Sequence, residues 1–288
     1  MKGIVLAGGT GSRLWPITKV TSKQLLPIYD KPMIYYPLAT LMLAGVRDIL
    51  IITTPQDQSA FETLLGDGSQ FGIKLTYAVQ PKPEGLAQAF IIGETFLAGE
   101  SCLMILGDNI FHGAGLGHQL QETIPSSGAH IFTYAVSDPT QYGVLNIDSS
   151  GHPIAIEEKP KNPSSNLAVT GLYYFDSRVV DVAKQVKASS RGELEITSVI
   201  EWYLQKNQLT LTQLTRGAAW LDTGNPKSMH DAASYVRLIE ERTGLKIACL
   251  EEIGLNRGWL SESQALNSNQ NSRDYQDYIA SIINNKGF

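Results

Sequence analysis

The chain has 288 residues, 43% of them hydrophobic and 18% charged, with a net charge of −5 at pH 7. That length suffices for one large domain or a domain with an appendage, and the composition is that of an ordinary globular protein. The acidic balance argues against nucleic acid as a partner, because duplex binders concentrate basic charge, but a nucleotide needs only a few local cations. Cys102 and Cys249 are too few for a disulfide framework and lie in apolar surroundings, which points to a reducing, cytoplasmic location. No basic and apolar leader opens the chain, and no apolar run approaches membrane-spanning length, so neither a signal peptide nor a membrane partner is expected.

Met1 to Leu6 is a short apolar run that reads as a buried strand. It empties into Gly8-Gly9-Thr10-Gly11-Ser12, followed by Arg13. Glycine opens backbone geometries and close approaches that other residues forbid, and a basic side chain just beyond can hold charge on an anion. The run is a nucleotide-phosphate loop in general form. Two commoner loops fail on spacing: Leu14 stands where the dinucleotide fingerprint needs Gly or Ala, and Gly9 where the P-loop needs Lys.

A helix is expected from about Tyr35 to Ala44, ending at Gly45, and Asp48 to Thr53 reads as a second buried strand. Leu75 to Val79 and Cys102 to Leu106 are two more strands, with a helix from Gly85 to Phe96 between them. Continuous apolar strands alternating with helices imply a mostly parallel sheet covered on both faces. Ligands then sit beyond the carboxyl ends of the strands, where the loops after Leu6, Val79 and Leu106 converge. From Gly128 the rhythm changes. Ala129 to Val136, Gly143 to Ile147, Pro153 to Glu158 and Ala168 to Phe175 are strand-like pieces joined by turns such as Ser149-Ser150-Gly151, a hairpin-rich mixed-sheet region.

Helices return at Val179 to Val186 and from about Leu194 to Gln205, with Ser190 and Glu193 placed as a capping box. Asn225 and Pro226 open another helix, on which Met229, Ala232, Ala233, Val236 and Ile239 form one apolar face. Asn267 to Asp274 is polar and reads as a loop before a final amphipathic helix from about Tyr275 to Ile283. The expected fold is α/β: a doubly wound, mostly parallel (mixed) sheet with a C-terminal helical appendage.

Several residues could carry chemistry. Gln80 follows a strand and offers paired donor and acceptor groups that suit the edge of a pyrimidine, while Gly85 would let a base approach the main chain. Asp108 ends an apolar strand, well placed to hold Mg²⁺, and Asp222 sits in a similar short motif, Trp220-Leu221-Asp222-Thr223-Gly224. Glu157 and Glu158 are neighbours on a strand, so one of them faces any site there. His112 and His230 read as hydrogen-bonded structural or surface histidines.

The run GGTGSRLWPIT, with SKQLLPIYDKPMIYYPL after it, resembles the signature of the sugar-1-phosphate nucleotidylyltransferases. Lys23-Gln24-Leu25-Leu26-Pro27 looks most like the glucose-1-phosphate thymidylyltransferase branch, and Gly85-Leu86-Ala87-Gln88-Ala89 like thymidylyl- and uridylyl-transferring enzymes more than adenylyl ones. The resemblance spans nearly the whole chain, including Arg191 to Thr197 and Gly244 to Cys249. It implies a Rossmann-like nucleotide-diphospho-sugar transferase domain over 1–240, with a nucleotide half to about 125 and a sugar half over 126–240. Residues 241–288 would be a helical extension packed on it. The implied reaction makes dTDP-glucose and pyrophosphate from dTTP and glucose 1-phosphate with Mg²⁺; transfer from UTP and a non-catalytic sugar-nucleotide-binding homologue are alternatives.

By the same resemblance, Leu6, Gly8, Gly9, Thr10, Gly11, Gln24, Gln80, Gly85 and Asp108 would hold the nucleotide. Asn109, Tyr142, Gly143, Glu158, Lys159, Val169, Gly171, Tyr173 and Trp220 would hold the sugar phosphate, and Asp108 and Asp222 the metal. The sugar phosphate is already an anionic nucleophile, so positioning and cations should supply most of the catalysis. Arg13 would take the β/γ-phosphates and leaving pyrophosphate, Lys23 the α-phosphate, and Lys159 the incoming phosphate. A homotetramer and a second, regulatory sugar-nucleotide site are also implied, the latter with departures at His112, Leu250 and Asn256.

Overall fold

The computed structural model describes residues 1–9, 11–268 and 273–284, so the expectation for Thr10 lies outside the described residues. The opening run forms the strand β1 (Lys2–Ala7), buried from Gly3 onward. Its side chains divide by strand alternation: Val5 and Ala7 enter the core on one face, Ile4 and Leu6 that on the other. A strand covered on both faces reads as a continuous apolar run, which is why this one was legible.

A short hairpin follows, β2 (Pro27–Ile28) with β3 (Lys31–Pro32), then β4 (Asp48–Thr53), β5 (Lys74–Val79), β6 (Cys102–Leu106) and β7 (Asn109–His112). The second half supplies β8 (Ala129–Ala135), β9 (Gly143–Ile147), β10 (Pro153–Glu158), β11 (Leu167–Phe175), β12 (Leu209–Gln213) and β13 (Ala219–Asp222). The main sheet runs β10-β9-β11-β6-β1-β4-β5, with β8 paired to β11 and β12. It is parallel through β6-β1-β4-β5 and antiparallel where β11 meets β6, β8 and β9. The mixed α/β sheet expected from the sequence is thus present, its antiparallel part confined to the region where the hairpin rhythm began.

The helix Tyr35–Leu43 covers one face of the sheet; Gln88–Ile92, Val179–Gln185 and Ile196–Gln205 cover the other. β13 pairs with β7, setting Asp222 opposite Asn109. This pairing and that of β11 with β6 join residues 102–112 to strands from the later part of the chain. The helix Pro226–Thr243 starts on an Asn225–Ser228 capping box with Pro at its first turn and stops at Gly244, in the left-handed conformation. Beyond it, Leu250–Asn256, Glu262–Asn267 and Arg273–Asn284 pack back on the main body; a Cβ on Gly254 would stand 2.5 Å from the Phe71 carbonyl oxygen.

Two expectations need correction. The helix read as Gly85 to Phe96 is two short pieces, Gln88–Ile92 and Glu94–Leu97, broken at Gly93. Gly85 itself has φ 109° and lies against Leu194, whose main chain a Cβ would meet at 2.4 Å, so the helix cannot begin there. Ser190 and Glu193 form no capping box. The helix starts at Ile196 behind Glu195, whose carboxylate is already taken by Ser189 Oγ at 2.7 Å and by Arg191 at 2.8 and 2.9 Å.

Candidate active site

The carboxyl ends of β1, β5 and β6 open into a cleft of about 550 Å³, joined by the ends of β10 and β13. Leu6, Gly9, Arg13, Lys23, Gln24, Gln80, Gly85 and Asp108, which the sequence reading expected at a nucleotide, are among its lining residues. Asn109, Tyr142, Gly143, Glu158, Lys159, Val169, Gly171, Tyr173, Trp220 and Asp222 complete it. Gly8 and Gly11 lie outside this lining. Gly8 gives room to Gln80, whose Oε1 would be 2.2 Å from a Cβ there; Gly11 has φ 62° and starts the turn Ser12–Leu14.

Lys23 and Gln24 form the turn Lys23–Leu25, fixed where Met33 N donates to Leu26 O and Ile34 N to Gln24 O, both at 2.9 Å. Ser22 Oγ donates to Gln24 Oε1 at 2.6 Å. Lys23 Nζ donates to Asp108 Oδ2, and Asn109 Nδ2 donates to Asp108 Oδ1 at 3.1 Å. Burial pushes the Asp108 carboxyl up, but the charge and hydrogen bond of Lys23, with the Asn109 bond, leave it below the usual carboxylate value. Asp222 goes the other way: burial raises it, and the Asp108 charge raises it further against the pull of Lys23 and Arg13. The buried Asp108 and the half-buried Asp222 therefore face a common space and repel one another across it.

Arg13 reaches the same corner. A Cβ on Gly224 would sit 2.8 Å from Arg13 Nη2 and 3.0 Å from Asp222 Oδ1, so the missing side chain makes room for the guanidinium beside the carboxylate. On the far wall, Asn109 Oδ1 accepts from Trp220 Nε1 at 2.6 Å and from Gly171 N at 3.2 Å. A side chain at Gly171 would collide with it at 2.6 Å, which accounts for glycine in the middle of a buried strand. Tyr142 packs on Trp220 with ring centroids 5.0 Å apart. Lys159 follows β10 with φ 44°, a conformation costing about 1–3 kcal/mol in a non-glycine residue, and its Nζ lies 3.6 Å from Glu158 Oε1.

Sequence reasoning missed Arg191, Glu193, Glu195 and Thr197 as members of the lining. Arg191 bridges Glu158 at 3.1 Å and Glu195 at 2.8 Å. The signal was present, since the Arg191 to Thr197 run was noticed, but no local pattern says that it folds over the end of β10. His112 points elsewhere, its Nδ1 2.7 Å from Tyr235 Oη, and His230 is exposed. His112 lines a second cavity of about 570 Å³ with Lys246, Cys249, Asn256 and Arg257, while Leu250 is buried outside that lining.

Residues 2–237 match the profile described as nucleotidyl transferase. The chain belongs to the nucleotidyl transferase family. Among its relatives in that family, a glucose-1-phosphate thymidylyltransferase of Neisseria gonorrhoeae is 56% identical over 263 residues, covering 91% of each chain. One from Neisseria meningitidis serogroup A is 51% identical over 286 residues, 98% of this chain and 99% of that protein. A crystal structure of a putative glucose-1-phosphate thymidylyltransferase from Bacillus anthracis, in complex with a sucrose, superposes with TM-score 0.76 at 44% identity, over 82% of this chain and 95% of that one. A UDP-glucose pyrophosphorylase complexed with UDP-glucose shares the fold at 22% identity, TM-score 0.72. The cleft gathers Gly9 of the glycine-rich run, the cationic side chains Arg13, Lys23 and Lys159, and the carboxylates Asp108 and Asp222.

Proposed function

We propose that this nucleotidyl transferase makes dTDP-glucose and pyrophosphate from dTTP and glucose 1-phosphate. The observation that carries the reading is the convergence of Arg13, Lys23 and Lys159 with Asp108 and Asp222 in one cleft, in a chain about half identical to thymidylyltransferases over nearly its full length. The phosphate oxygen of glucose 1-phosphate attacks the α-phosphorus as the bond to the bridging oxygen of pyrophosphate breaks. Lys159 and Glu158 orient the sugar phosphate, Lys23 holds the α-phosphate, and Arg13 takes the charge that develops on pyrophosphate. No side chain forms a bond to substrate. Catalysis comes from alignment and from charges fixed before the reaction begins.

Mg²⁺ fits the donor set. Among the described residues no group of three or more His, Cys, Asp or Glu side chains could hold a metal, but Mg²⁺ takes only one or two carboxylates and completes its shell with phosphate oxygens and water. Asp108 and Asp222 are those carboxylates, and the mutual repulsion that raises Asp222 is what a divalent cation relieves. When bound, the ion neutralises charge shared between nucleotide and sugar phosphate.

The proposal extends to a cytoplasmic homotetramer in which the second cavity takes a regulatory sugar nucleotide. These rest on the resemblance of the sequence; among the described residues no helix is long and apolar enough to cross a membrane. The deciding experiment is pyrophosphate release from glucose 1-phosphate with Mg²⁺ and dTTP, UTP or ATP. Fastest release with dTTP, and none without sugar phosphate, is the expected result. Fastest release with UTP would reassign the base, and no release with any nucleotide would leave a binding homologue.

A further inference from the structure

Gln80 follows β5 directly and is 4% exposed, with its Oε1 folded over Gly8. Its Nε2 donates to Gln88 Oε1 at 2.7 Å, and Gln88 Nε2 donates to Glu84 Oε2 at 2.7 Å. This short chain of amides has a direction set by its far end. A carboxylate only accepts, so Gln88 must turn its NH₂ to Glu84 and its oxygen to Gln80. Gln80 must then turn its own NH₂ to Gln88. The second Nε2 contact, to the Gly85 carbonyl at 3.4 Å, points the same way, and among the described residues no hydrogen bond is accepted by Gln80 Oε1. The orientation of an amide is ordinarily ambiguous, but here the acceptor-only terminus removes the ambiguity.

We infer that Glu84 and Gln88 form a relay that locks the Gln80 amide with its oxygen toward the base, selecting a base with an N3–H donor against cytosine. The inference rests on the reading of this cleft as the nucleotide site. Thymine and uracil carry N–H at position 3, whereas cytosine carries a lone pair there. A free glutamine would serve either, by rotating its amide. The locked one offers a hydrogen bond to the first pair and sets acceptor against acceptor for cytosine. Turning Gln80 over would place its oxygen against Gln88 Oε1, and turning Gln88 as well would place an oxygen against the Glu84 carboxylate. Discrimination by an unpaired polar group far exceeds what pocket size gives for one methyl. Gln88 and Glu84 stand outside the cleft lining, so they are positioning residues that act through Gln80.

The test measures kcat/KM for dTTP and for dCTP, with glucose 1-phosphate and Mg²⁺, by pyrophosphate release. The wild-type chain should favour dTTP strongly. Gln88→Leu removes the lock and should narrow the dTTP/dCTP ratio at least about tenfold. Gln88→Lys donates where Gln88 accepted, favours the reversed amide and should narrow it further by raising turnover of dCTP. The double variant Glu84→Gln with Gln88→Glu moves the acceptor-only carboxylate to position 88, where it accepts from both neighbours, and should keep the wild-type ratio, a rescue that general loss of packing would not give. Circular dichroism melting checks folding; should Gln88→Leu fail to fold, the double and Lys variants decide. An unchanged ratio in the folded Leu or Lys variant overturns the relay alone. A wild-type chain indifferent between dTTP and dCTP overturns the relay together with the reading of the site.

Discussion

The hydroxyl and the amide of Thr223 both donate to the main-chain carbonyl of Asp108, at 2.8 and 3.1 Å. Thr223 is fully buried and follows Asp222 directly, so these two bonds fix how far apart the cleft carboxylates stand. Thr223→Val keeps the shape and the amide bond but loses the hydroxyl bond, a cost of about 1 kcal/mol in stability. The larger effect should be on metal use: the Mg²⁺ concentration for half-maximal pyrophosphate release should rise several-fold, while Thr223→Ser restores it. A Val variant with an unshifted Mg²⁺ curve would show that the carboxylate spacing is held by something else.

Asp222 carries a cost that function imposes. Its carboxyl is raised above 3.8 by burial and by the Asp108 charge, so ionising it costs more in the folded chain than in the unfolded one. For a raised acid the charged form works against folding, and stability falls as pH rises through the raised value. Asp222→Asn should therefore raise the melting temperature in EDTA at neutral pH while reducing turnover by about two orders of magnitude or more. Scanning calorimetry of the two proteins in chelator decides it, and a variant that melts lower would contradict the repulsion between the two carboxylates.

Much of this was legible in the sequence, for a physical reason. β1, β4 and β6 are covered on both faces, so their apolar runs are unbroken and visible at short range. β7 and β13 were not legible, because they are four-residue strands whose residues serve the cleft: Asn109, Trp220 and Asp222 are chosen by the site rather than by a strand pattern. The helix Leu250–Asn256 carries Glu251 and Glu252 in its first turn behind Cys249, whose side chain makes no cap, and the helix Glu262–Asn267 lies within a polar stretch. Arg13, Lys23 and Asp108 stood out because each sits in a distinctive local motif. Arg191 and Gln88 act through Glu195, Glu158 and Gln80, which only tertiary folding brings to them. The expected Ser190–Glu193 capping box fails because the helix starts only at Ile196, beyond both residues.

His130 gives a pH signature independent of the cleft. It lies 3% exposed on β8, with Nδ1 2.7 Å from Thr210 Oγ1 and Nε2 3.0 Å from Thr212 Oγ1, both on β12. Burial lowers its pKa from 6.5 to about 4. The unfolded chain therefore binds a proton that the folded chain refuses, and stability falls as pH drops below 6.5 until the folded value is reached. This one group accounts for up to about 3 kcal/mol lost across that window. His130→Gln should flatten the acid side of a urea-midpoint profile measured between pH 7 and pH 4; a wild-type slope in the variant would place the proton uptake elsewhere.

The C-terminal segment is tied to the Lys23–Leu25 turn through a buried charge cluster. Lys31, 3% exposed on β3, pairs with Asp30 and with Glu240 Oε1 at 2.9 Å. The same Glu240 oxygen accepts from Ile247 N at 2.8 Å, and Lys246 reaches Asp30 at 2.6 Å. β3 leads into Met33 and Ile34, whose amides hold the Lys23 turn, so the cluster braces both the extension and the turn. Removing one partner of a buried pair leaves its charge uncompensated, at about 3–5 kcal/mol, although Asp30 remains here to soften the loss. Glu240→Ala should therefore cost about 3 kcal/mol and lower the melting temperature by about 6 °C or more. Glu240→Gln, which can still accept from Ile247 N, should cost less. Thermal melts of both variants, beside pyrophosphate release at a temperature where each stays folded, separate a structural brace from a positioning one: kcat unchanged in a destabilised Glu240→Ala would assign the cluster to stability alone.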